Sequence, residues 1–148
     1  MKKILIALIA TTMVLSTLVF LTSCSDNNTT FLEEVLELVD NVLDGTVCVS
    51  VAAPTMIEFS QRSLEEVENE DFARLVMDMN RSIGNIANFR NTWRLHNSIG
   101  DSESLPSIEI LEIYIQGALT QRNEIANAIG NSSRTTWYAG LVELITEV

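Results

Sequence analysis

Histidine occurs once and cysteine twice in the 148 residues. That scarcity leaves no histidine-rich metal centre to build, and it excludes a small scaffold stapled by many disulfides. Lysine is confined to Lys2 and Lys3, so beyond them the chain carries seven arginines against twenty acids. A net charge of −11 makes a polyanionic nucleic acid an unsuitable partner. Also missing are a Cys-x-x-Cys-His haem attachment, a glycine-rich phosphate loop, His-Glu-x-x-His and Gly-x-Ser-x-Gly. Helical di-iron sites use Glu-x-x-His pairs, and there is none. The expectation is a protein that is not an enzyme, with no cofactor and no metal.

What is present begins with an address. Lys2 and Lys3 precede an uncharged, largely apolar run from Ile4 to Leu21, and Leu21-Thr22-Ser23-Cys24 follows. Basic start, apolar middle and small residues before a cut form the order of an export signal, because the lysines stay cytoplasmic while the apolar run enters the bilayer. Leu-Thr-Ser-Cys resembles the lipobox of bacterial lipoproteins. That resemblance implies cleavage before Cys24, acylation of its sulfur and a membrane partner reached through the lipid. It covers residues 1–24 only. An uncleaved anchor is the alternative, but 18 residues at a helical rise of 1.5 Å span about 27 Å, short of a ~30 Å hydrocarbon core. The implied location is the cell envelope: the outer membrane facing the periplasm where two membranes exist, given Ser25, and otherwise the outer face of the cell membrane.

The expected organisation is a signal peptide over 1–23, a lipidated cysteine and short linker over 24–30, and one helical domain over 31–148. That mature chain has a net charge of −13, which repels anionic lipid headgroups and suits a basic or cationic envelope partner. The fold class expected is all-α, a bundle of four or five helices. Gly45, Gly100 and Gly130 sit where helices would stop, and the intervals between them carry an apolar period near 3.6. The first helix follows Thr30, with Glu33 completing a capping box, and a second such box, Thr55 with Glu58, opens another helix after Pro54. Asn69 and Asp71 are candidate caps for a third helix, Leu105 to Ile129 forms a fourth with Pro106 in its first turn, and 133–148 a short fifth. Residues 46–53 alternate like a strand, but a lone strand has two unpaired edges, so a helical or irregular buried segment is expected there.

Three constellations stand out. From Met79 to Gly100 there is no acid, while Arg90, Trp93, Arg94 and His96 fall within two turns of helix. This is a candidate site for an anionic group, or else a set of basic residues pairing with acids on neighbouring helices. Cys48, between Val47 and Val49, is expected to pack as a small apolar residue, with an intermolecular disulfide as the alternative. The acids at 65–71 and the pair Asp40 and Asp44 offer oxygen ligands but lack calcium-loop spacing, so they read as solvated charge. Gly84 and Gly117, inside the two longest expected helices, suggest a close crossing of those helices. Two functions follow: a lipid-anchored protein acting in binding or assembly, or a sensor or carrier of a small anionic ligand.

Overall fold

The computed structural model of the chain describes residues 28–147. The expected signal peptide, the lipobox-like segment and Cys24 lie outside them. The packing described here is that of the compact unit Leu32–Val148.

The fold is an all-α bundle with five helices and no strand among the described residues. Helix α1 is formed over 28–43, and α2 (Val49–Glu66), α3 (Glu70–Ser98), α4 (Ile108–Ala128) and α5 (Leu141–Thr146) follow, with a 3-10 turn at Ser102–Ser104. α3 is the hub, packing on α2, α4 and α5. The periodicity explains the layering. Leu32, Val35, Val39 and Val42 line one side of α1, while Val76, Met79, Ile83 and Ile86 do so on α3, and Leu111, Ile115, Ala118, Arg122 and Ile125 on α4; all are buried. These spacings of three and four residues return the same face to the core every turn.

The helix stops fall where glycine spacing puts them. Gly45, Gly100 and Gly130 have φ of +73°, +70° and +69°. After α1, the Gly45 amide donates to the Val42 carbonyl at 3.0 Å and the Thr46 amide to that of Asn41 at 2.9 Å. This closes the helix end through a left-handed residue, which a side chain would strain. The start of α3 also follows the expectation, since the Asn69 carboxamide oxygen accepts from the amides of Asp71 at 3.0 Å and Phe72 at 3.4 Å.

Other boundaries differ. α1 is already helical at residue 28, so Thr30 lies within it and is not its cap. α2 begins at Val49 and contains Pro54, because helical spacing buries Val49, Ala52 and Met56 together. Strand alternation instead puts Val49 and Val51 on one face, and Val51 is 66% exposed. Residues 46–48 are irregular and 49–53 helical, and tertiary burial overrides the β-branched preference there. α4 starts at Ile108 with the Ser107 hydroxyl accepting from the Glu109 amide at 3.3 Å, which leaves Pro106 outside the helix. The last helix is reduced to Leu141–Thr146, so Trp137 lies in an irregular run.

The crossing expected at Gly84 and Gly117 is absent, since a Cβ built on either meets no atom within 4 Å. Each glycine therefore lowers helix stability without a packing return. Gly84→Ala and Gly117→Ala are each expected to stabilise the fold by about 1 kcal/mol. Thermal unfolding should show a rise of about 4 °C per substitution.

Candidate functional site

The basic stretch of α3 separates in space. His96, in the last turn, places Nδ1 3.2 Å from Asp101 Oδ2, just beyond the helix. Asp101 also accepts from the Ser104 amide at 3.3 Å, and that bond, with His96 beside it, holds the carboxyl below its ordinary range. Trp93 stacks on Phe89 with ring centroids 6.0 Å apart. Arg94 is exposed and lines a shallow open groove with Asn91, Leu95 and Ser98. Arg90 lines a different, more enclosed cavity. An i, i+4 spacing aligns two Cβ atoms, but an arginine's long side chain decides where its guanidinium ends, and these two diverge. Thus Arg90, Trp93, Arg94 and His96 share a helix end without converging on one cavity.

The Arg90 cavity has a volume of about 260 Å³. Its walls are the turn between α1 and α2 (45–48), Val49 at the head of α2, and Leu141, Leu144 and Ile145 of α5. Arg90 is its one ionisable side chain other than Cys48, and no carboxylate lines it. The Arg90 Nε is buried and has no hydrogen-bond partner. Such a buried donor costs roughly 1–3 kcal/mol when unsatisfied, and more when charged. A broader groove between α2 and α3, about 520 Å³ and lined by Pro54, Ile57, Asn88 and Asn91, also holds Arg81. Arg81 is exposed and pairs with Asp78 at 3.4 Å, so that groove carries no comparable unmet charge.

Cys48 is exposed, which corrects the expectation of a packed apolar residue. It is the N-cap residue of α2, at the end of the irregular run that follows the α1 turn. Its Sγ lies 3.1 Å from the Ser50 hydroxyl. That hydroxyl chiefly lowers the thiol's pKa, against a smaller opposing effect of burial, with help from the amides of Ser50 and Val51 and the charge of Arg90. Alkylation by iodoacetamide should therefore follow a pH profile displaced below that of a free thiol. Ser50→Ala should move the profile back up; an unmoved profile would count against the hydroxyl as the cause.

The sequence did not reveal a second cluster. Arg122 is 6% exposed on the core face of α4. Its Nε and Nη2 donate to the two carboxylate oxygens of Asp40, each at 2.9 Å. Arg134 donates to Asp40 at 3.0 Å and to Asp44 at 2.6 Å. Asn123 exchanges two hydrogen bonds with the Arg134 backbone, at 2.9 and 3.0 Å, and Arg122 also reaches the Ser132 carbonyl. Burial pushes the Asp40 carboxyl up, but the hydrogen bonds and charges of both arginines outweigh it and leave the pKa below its ordinary 3.8. One signal was available: Arg122 continues the apolar stripe Leu111, Ile115, Ala118, a position that demands a buried partner. The cluster is internally satisfied, and it ties the run before α5 to α1 and α4.

Among the described residues no group of three or more His, Cys, Asp or Glu is placed to hold a metal ion. None of the described helices is long and apolar enough to cross a membrane. No protein-family model, curated protein or solved structure matches the chain.

Proposed function

We propose that the chain is a lipid-anchored protein of the bacterial envelope, held through Cys24, whose helical domain works by binding a small anion. The observation that carries the binding part is Arg90 at the wall of a cavity that no carboxylate lines. A cavity that reaches a basic side chain favours ligand capture, whereas assembly through the outer surface requires none. The anion site is then Arg90 alone of the four residues on that helix end, since Arg94 lines another groove and His96 is engaged by Asp101. The tether rests on the order of Lys2, Lys3, the apolar run and Leu21-Thr22-Ser23-Cys24.

A second reading, docking of a basic or cationic envelope protein, is supported by the mature chain's seven arginines against twenty acids. Intact mass of the protein extracted from its native membrane tests the tether. Acyl groups on Cys24 as the first residue are expected, and a retained Met1 overturns it. Photo-crosslinking in that membrane, followed by mass spectrometry, separates the two binding modes: a protein adduct supports docking, and its absence supports capture of a small molecule.

A further inference from the structure

We propose that the Arg90 cavity takes a short-chain aliphatic monocarboxylate, with the carboxylate on the guanidinium and the tail between the α1–α2 turn and α5. This inference rests on the reading of Arg90 as an anion site, and is independent of the lipid tether. Its first support is stoichiometry of charge. The cavity presents one permanent cation and no carboxylate, which matches a monoanion; a dianion such as phosphate would leave charge uncompensated. A chain with twenty acids against nine bases rarely offers such a spot.

The second support is the chemistry of the walls. Val47, Val49, Leu141, Leu144 and Ile145 are aliphatic. Sugars and nucleotides need several convergent hydrogen-bonding groups, whereas this lining rewards methylenes. The third is size. At about 260 Å³ the space is below the usual range for drug-sized ligands, so only a short tail fits. A fourth feature favours negative charge at the same place. The cavity meets the head of α2, an 18-residue helix with no acidic residue in its first turn. The helix macrodipole therefore adds to the arginine's field. A carboxylate there accepts from Arg90 where that side chain lines the cavity.

Isothermal titration of the full-length chain in a non-ionic detergent tests this, with sodium pentanoate as the probe. Saturable binding with a dissociation constant under about 1 mM is expected. From acetate to pentanoate the affinity should rise about fourfold per methylene, the effect of burying each in an apolar space. Arg90→Met should weaken pentanoate on the order of 10- to 100-fold, with Arg90→Lys intermediate and Arg94→Ala unchanged. Leu144→Phe, which fills the cavity while keeping the arginine, guards against a fold defect in the Arg90 variants and should weaken pentanoate more than acetate. A flat chain-length series, or pentanamide binding as tightly as pentanoate, overturns the proposal. Phosphate or sulfate binding tighter than pentanoate in an Arg90-dependent way overturns the carboxylate while leaving the anion site standing. Failure of every anion to bind overturns both.

Discussion

Asp40→Ala should destabilise the fold by about 3 kcal/mol, or roughly 10 °C in Tm. Arg122 is almost fully enclosed and gives two of its hydrogen bonds to Asp40, so removing the carboxylate strands a buried guanidinium. The loss reflects that stranded charge more than the worth of the pair itself. Asp40→Leu combined with Arg122→Met should therefore recover most of it, since a well-packed apolar pair is often as stable as the ions it replaces. A double variant as unstable as Asp40→Ala would mean that the loss comes instead from the other bonds it also removes, Arg122 to the Ser132 carbonyl and Arg134 to Asp40. Acid follows the same logic. The Asp40 pKa is lower in the folded chain than its ordinary value of 3.8. Its contribution is therefore complete above that value and is lost as pH falls below it, through the lowered folded pKa. Asp40→Asn, measured by denaturant unfolding from pH 7 to 2, should fall less steeply at the acid end than the parent protein.

The other large effect is expected at the hub. Ile83 on α3 is 0% exposed, and α3 packs on both α2 and α4. Ile83→Ala removes three carbons and leaves a void that both neighbouring helices would have to move to fill. A cost of about 3–4 kcal/mol follows, within the ~2–5 seen for such truncations, whereas Ile83→Val should cost about 1. Chemical denaturation gives both numbers directly. Near-equal costs for the two variants would indicate that the surrounding helices collapse onto the space.

The parts of this fold legible in the sequence are those set by neighbours within one turn. Gly45, Gly100 and Gly130 announce helix ends because a left-handed residue is required there, and Asn69 announces a start through its own side-chain oxygen. The head of α2 was hidden because Thr46 to Val51 alternates like a strand, and only packing of Val49 with Ala52 and Met56 decides for helix. The reduction of the last helix was hidden for a related reason. Residues 131–140 are held by Asn123, Arg122 and Asp40, partners up to 94 positions from Arg134. Arg90 was singled out by the absence of acids around it. Its cavity was not foreseeable, since α5 closes it from the far end of the chain. Trp93, Arg94 and His96 shared the same compositional signal, and only geometry separates them from Arg90.

The six residues of α5 are too few to hold a helix in water unaided. The wall they form depends on fastenings elsewhere: the Tyr138 amide on the Leu43 carbonyl at 2.9 Å, and the two arginines gripping Asp40. Backbone amides of α5 should consequently exchange with deuterium sooner than those of α3, as the segment frees itself while the central helices stay folded. Vacating that wall opens Arg90 to water, so a ligand held as proposed would leave by a partial unfolding rather than by melting of the bundle.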